Sequence, residues 1–238
     1  MNKNKKIILA VCVIAVAGIL GYLLINRPAK NQEPVTDSNG GIQLCFYREN
    51  ITSSKLIDKT WLTMYLKGTE VTGELHNIPA EKDSKRGPFI GSVGDVDKMA
   101  MARTADVWWE TTGEGITNKE QLSIIFGEGV ASVGFGEMVD RGDGIYVYKD
   151  INTVDYSLEL NDVSCEDLFE KIVVEDYIRK NISTISTKAP VLGGSWYVVS
   201  VDISTSKDTA TVVYEDGHVQ ESEKFKYTQE GNTVNIVY

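Results

Sequence analysis

Two histidines, His76 and His218, make up the whole imidazole complement of this chain. His76 falls in a segment of alternating residues. His218 directly follows Asp216-Gly217, a turn signal, where an exposed residue needs no catalytic role. The two lie in different parts of the chain, and no Ser-His-acid or Cys-His system can be assembled around them. Zinc asks for a close cluster of nitrogen, sulfur or oxygen ligands, and the sequence spaces none. Of the three cysteines, Cys12 lies in an apolar run, which leaves Cys45 and Cys165 as one pair. In an oxidising compartment such a pair reads as a disulfide. Closing a loop of that length stabilises by about 4–5 kcal/mol in the chain-entropy model.

Carboxylates are plentiful, and the stretch from Glu137 to Asp176 holds twelve acids against three bases. Within it, Asp140-Arg141-Gly142-Asp143-Gly144 sets Asp140 and Asp143 three residues apart. They are weak calcium candidates, because calcium wants roughly six to eight oxygens and the spacing is not that of an EF-hand loop. An acidic turn is the commoner reading. Carboxylate pairs for glycoside chemistry are too numerous here to single one out. The glycine clusters 127–129, 134–136 and 142–144 precede no helix, so none has the context of a phosphate cradle. Strand bends and turns account for them. Trp108 and Trp109 are adjacent and on a strand must face opposite ways. One belongs to a core; the other is exposed or caps a barrel mouth, and either could line a ligand. Asn50-Ile51-Thr52 and Asn181-Ile182-Ser183 match glycosylation acceptors. The inventory predicts no catalytic centre and no cofactor.

The elements that position these residues begin with an apolar run, Ile7 to Ile25, preceded by Lys3, Lys5 and Lys6. As a helix it spans about 28 Å, close to the hydrocarbon core of a bilayer. The lysines predict a cytoplasmic N-terminus, with everything after Arg27 outside. A cleaved secretory signal is the rival reading, with Ala15-Val16-Ala17 as the cleavage site, but the run continues through Leu20, Leu23, Leu24 and Ile25. A lipoprotein reading fits poorly, since Val11 is too large just before Cys12. The first thirty residues hold five of the 24 cations and none of the 34 acids. Residues 31–238 therefore carry 19 Lys and Arg against 34 Asp and Glu, a net charge of −15. That balance disfavours nucleic acid and anionic lipid surfaces as partners.

Asn26 to Gly41 (NRPAKNQEPVTDSNGG) is polar, bears Pro28 and Pro34 and has no periodicity, as a linker would. Short β-rich segments follow: 42–48, 61–67, 71–78, 89–93, 104–109, 121–126, 130–138, 145–148 and 154–160. In the second, Leu62, Met64 and Leu66 share one face, while Trp61, Thr63, Tyr65 and Lys67 share the other. Gly127-Glu128-Gly129 is a hairpin signal. About nine strands in some 120 residues fit an antiparallel meander closing on itself into a barrel. Ser164 then resembles a helix N-cap. Cys165, Leu168, Phe169, Ile172 and Val173 follow helical spacing, and early acids with late bases (Arg179, Lys180) suit the dipole. The spacing predicts a helix over 166–180, with Asn181 as its stop. Segments 195–203, 209–214, 219–227 and 234–238 form a meander for that helix to cover. In 195–203, Tyr197, Val199, Val201 and Ile203 share one side. Asp216-Gly217 predicts a two-residue type I′ turn.

The fold expected is mainly β with an α+β C-terminal part. Residues 1–26 form a cytoplasmic tip and transmembrane helix, 27–41 a linker, 42–163 a β-barrel-like meander, and 164–238 one helix on a four-stranded antiparallel sheet. The blocks Pro79 to Lys85 and GEGVASVGFGEMVDRGDGIYVYKD (Gly127 to Asp150) resemble an uncharacterised family of bacterial single-pass exported proteins. The later segment Val191 to Val219 is similar to a module recurring in such proteins. The resemblance implies an extracytoplasmic β-rich protein and brings no activity or site residues. At the level of fold, the first part is similar to lipocalin-like barrels. The function expected is a non-catalytic binding or structural module of an envelope, with the membrane and a small ligand or protein as partners. A small-ligand carrier and a carboxylate-based hydrolase are the alternatives.

Overall fold

Alternation at period two lets each strand turn one face to a shared interior, and this pattern builds the larger part of the fold. The computed structural model describes residues 35–36, 40–53 and 56–237. The apolar run Ile7–Ile25 lies outside them, and among the described residues no helix is long and apolar enough to cross a membrane. A short strand, β1 (Val35–Thr36), pairs with β2 (Ile42–Ile51). From there β3 (Ile57–Lys67), β4 (Glu70–Ile78), β5 (Lys85–Val93), β6 (Arg103–Gly113), β7 (Ile116–Gly127) and β8 (Val130–Phe135) pair in chain order, each antiparallel to the last. Outside the ring run β9 (Met138–Asp140) and β10 (Ile145–Tyr148), and then β11 (Asp155–Asp162) pairs with both β8 and β2. The result is a closed barrel of eight antiparallel strands.

Side chains fill the barrel. Leu62, Leu75, Trp109, Ile124, Val133 and Leu160 are fully buried in one apolar cluster. At Gly91 a Cβ would lie 2.1 Å from the backbone oxygen of Asp106, so a neighbouring strand approaches closer than any side chain allows. The hairpin signal at 127–129 holds: Gly127 pairs with Val130, and Glu128 (φ 48°) and Gly129 (φ 82°) take the left-handed conformation of a type I′ turn.

One expected strand, 130–138, is broken in two. The Tyr148 hydroxyl accepts a hydrogen bond from the Ser123 amide (3.1 Å) and donates to the Gly134 carbonyl (2.8 Å). Its ring packs where a side chain at Gly136 would stand, 3.2 Å from the Cβ position. That back-fold brings β10 parallel to β7 at Ile145–Lys119 and Tyr146–Glu120. Burial pushes the Tyr148 phenol up to about 12.

Past the barrel, Ser164 caps helix α1 (Cys165–Ile185), its hydroxyl accepting from the Asp167 amide at 3.3 Å. The helix does not stop at Asn181. The Asn181 side chain donates to the Tyr177 carbonyl, and the buried stripe continues through Ile182 and Ile185. That stripe is Leu168, Val174, Ile178, Ile182 and Ile185, and Phe169 is exposed instead. Arg179 and Lys180 are therefore not terminal. They pair one turn back, with Glu175 and Asp176.

The helix covers an antiparallel sheet of β12 (Tyr197–Ser204), β13 (Thr209–Glu215), β14 (Gln220–Glu230) and β15 (Thr233–Val237). Val174, Ile178 and Ile182 share a core with Trp196, Val212 and Tyr227. Between Val198 and Ser200 the register of β12 slips against β13. The bulge separates Tyr197 and Val199 from the face that buries Val201 and Ile203. The turn after β13 also differs from expectation. Asp216 pairs with Val219 through its amide, so Gly217 and His218 form the tip, and only Gly217 has positive φ, at 85°. The Asp216 carboxylate accepts from the amides of His218, Val219 and Val191. Those three bonds hold its carboxyl below the usual carboxylate range.

Candidate functional site

Register places residues from four strands side by side on the outer wall of the barrel. Tyr47 of β2 lies opposite Trp61 of β3, Trp61 opposite His76 of β4, and His76 opposite Arg86 of β5. All four point away from the face that buries Leu62 and Leu75. The alternation that fills the barrel thus also builds an outward row of phenol, indole, imidazole and guanidinium. The Trp61 and His76 rings stack at 3.6 Å between centroids, 20° apart in plane. Ile57, Lys59 and Ile78 lie one pleat further along the same face.

Helix α1 and strand β12 stand over this wall. The disulfide Cys45–Cys165 ties β2 to the first turn of α1, with Cα atoms 5.2 Å apart. Between wall and cover lies a cleft of about 450 Å³. Its floor is the row just described with Ile57, Lys59 and Ile78. Its roof is Lys171, Ile172, Glu175, Asp176 and Arg179 of α1 with Val199 and Ser200 of β12, and Ser84 of the β4–β5 loop stands at its edge. The bulge in β12 aims Val199 and Ser200 into it.

The lining carries four fixed cations, Lys59, Arg86, Lys171 and Arg179, against two acids, Glu175 and Asp176. Three of the cations are tied down. Lys59 Nζ donates to Glu175 Oε2 at 2.7 Å and to the Val201 carbonyl at 2.6 Å, joining the barrel to both α1 and β12. Arg179 grips the other oxygen of Glu175 with two bonds, 2.7 and 2.9 Å, and reaches the Val198 carbonyl at 3.1 Å. Lys171 donates to the Ile203 carbonyl at 2.7 Å and sits 5.3 Å over the Tyr47 ring. Asp176 is paired with Lys180. The Arg86 guanidinium has no hydrogen bond or ion pair among the described residues. Burial, then the hydrogen bond to Glu49, raises the Tyr47 phenol above its usual range. Burial lowers His76 below the ordinary imidazole value, against the opposing pull of the Glu74 carboxylate 3.4 Å from Nε2. Such a cleft can hold an apolar body against Ile57, Ile78, Ile172 and Val199 and a polar head against the charged rim.

None of the ligand or metal candidates read from sequence lies here. Trp109 packs in the barrel core and donates from Nε1 to the Gly87 carbonyl at 3.0 Å. Trp108 faces outward, 5.9 Å from the Arg141 guanidinium. The Asp140 carboxylate caps its own turn through the amides of Gly142 and Gly144. Asp143 accepts from the Ile145 amide and from Arg141. Among the described residues, no group of three or more His, Cys, Asp or Glu side chains could hold a metal ion. The cleft residues went unread because they come from strands, loop and helix far apart in sequence. The available signal was Trp61, a large aromatic on the polar face of an alternating strand. Comparison with protein families, curated proteins and solved structures finds no match to this chain.

Proposed function

We propose that this chain is a membrane-tethered, extracytoplasmic binding module, non-catalytic, whose ligand seat is the cleft between the outer barrel wall and α1. The observation that carries the reading is the cleft itself. Its volume of about 450 Å³ falls in the range of small-molecule sites, and apolar walls converge there with a few charged groups. The barrel interior is occupied by its own side chains, so a ligand has its place outside the barrel. Location rests on the Lys-flanked apolar run Ile7–Ile25, the Pro-bearing linker and the disulfide. Carriage of a small ligand is the second reading, favoured by the same cleft.

Filling the cleft tests the proposal. Ser200→Trp introduces a large side chain at its roof. Native mass spectrometry of the full chain released from its own membranes is expected to show a bound small molecule. The variant, checked for an unchanged far-ultraviolet spectrum, is expected to show none. A bound molecule retained by the variant sinks the cleft as the seat.

A further inference from the structure

We infer that the ligand of the cleft is a small amphiphilic carboxylate, its head on Arg86 and its apolar body between Ile57, Ile78 and Ile172. This inference rests on the reading of the cleft as the ligand seat. Residues 31–238 carry a net charge of −15, yet the cleft lining reverses the balance, with four fixed cations against two acids. In a chain of net negative charge, a cleft whose fixed charges are mostly positive favours an anion there.

The partners of each cation decide where the head goes. Lys59 and Arg179 share the two oxygens of Glu175, and each also reaches a backbone carbonyl of β12. Lys171 is held by the Ile203 carbonyl and the face of Tyr47. These three fasten α1 and β12 to each other and to the wall. Arg86 alone among the four has no hydrogen bond or ion pair among the described residues, and all five of its side-chain N–H donors remain available. A planar guanidinium presents a fork that matches one carboxylate through two parallel bonds. The rest of the cleft does not suit a polyanion. By register Arg86 lies opposite His76, Ile78 stands two residues along β4 from His76 and Ile57 two residues along β3 from Lys59, with Ile172 and Val199 on the roof. A single negative head on a flat or aliphatic body fits that order of groups.

Two probes of one shape separate charge from shape: 2-naphthoate and 2-naphthylmethanol. Each is titrated calorimetrically into the full chain held in phosphatidylcholine nanodiscs, with empty nanodiscs as the blank. The carboxylate is expected to bind at least about tenfold more tightly, the scale of a charge-assisted pair. Arg86→Gln is expected to abolish that preference, and Arg86→Lys to keep part of it, with both variants melting as the parent does. Equal binding of the two probes by the parent overturns the carboxylate assignment and leaves the cleft standing. A preference that survives in Arg86→Gln overturns the role of Arg86. Binding of neither probe removes both the assignment and the cleft as an amphiphile seat.

Discussion

The two faces of β3 and β4 come from the same two strands and do opposite work. Inward, Leu62, Met64 and Leu75 are buried to 1% exposure or less in a cluster that includes Trp109 and Phe89. Outward, Lys59, Trp61, His76 and Ile78 form a wall that α1 and β12 cover only in part. An eight-stranded barrel has an interior just wide enough to be filled by side chains or to hold one small ligand. Here bulky residues fill it, and the open space lies on the outside. A wall that needs a lid to bury its aromatic row, and whose lid does not seal, leaves a cavity. The inner face supplies stability, and the outer face leaves the cleft that the proposed function takes as its seat.

The largest test of that division compares truncations on one strand. Leu75→Ala removes a fully buried side chain and is expected to cost about 3 kcal/mol, the usual price of a core cavity. Ile78→Ala, at a position 36% exposed on the cleft wall, is expected to cost under about 1 kcal/mol. Denaturant unfolding of both variants checks the difference. Similar costs would mean that the outer wall is packed as tightly as the core and that the cleft is closed in solution.

Local pattern made the inner face legible, and tertiary register hid the outer one. The alternation of Leu62, Met64 and Leu66 was enough to place β3 from Trp61 onward, but not its first four residues, 57–60. Ser164 was enough to start α1, and Cys45 and Cys165 were the one pair outside the apolar run. The end of α1 was not readable, because Asn181 is a helix breaker only where the stripe beyond it has nothing to bury against. Here Ile182 and Ile185 meet the sheet. The slip at Val199 depends on how β12 meets β13, and a shift of one residue reverses every side chain before it. The row Tyr47–Trp61–His76–Arg86 exists only through three registers between four strands. No periodicity in the chain announces such a row. Asp140 and Asp143 read mainly as an acidic turn and only weakly as calcium ligands, and their carboxylates hold the amides of that turn.

Lys59 offers an intermediate effect, because it stands on the outer face yet is nearly buried, with an 11% exposed side chain. Lys59→Met keeps the stem and removes the ammonium. Glu175 then retains only Arg179, and the Val201 carbonyl loses a 2.6 Å donor. The expected cost is about 2 kcal/mol, below that of a core cavity and above that of an exposed truncation. Hydrogen exchange should locate it, with protection lost in α1 and β12 while β6 and β7 keep theirs. A cost under about 0.5 kcal/mol would show that the lid is held without this bridge, by the disulfide and its packing alone.

The smallest expected effect is a slope with pH, and it divides the two faces most cleanly. Burial lowers the folded pKa of His76 below its unfolded value of about 6.5, with the charge of Arg86 adding to the shift and Glu74 opposing it. Between the two values the unfolded chain binds a proton that the folded chain does not. Stability from this group is therefore whole above about pH 6.5 and is lost as the pH falls toward the folded value. His76→Gln cannot titrate, so its stability should change less between pH 7 and pH 5 than that of the parent. Leu75→Ala, on the inner face of the same strand, should lower stability equally at both pH values, because nothing in that core takes up a proton. A His76→Gln variant with the parent's full slope would mean that the imidazole is solvated in the folded chain. The aromatic row would then lie open to water, and α1 would not cover it.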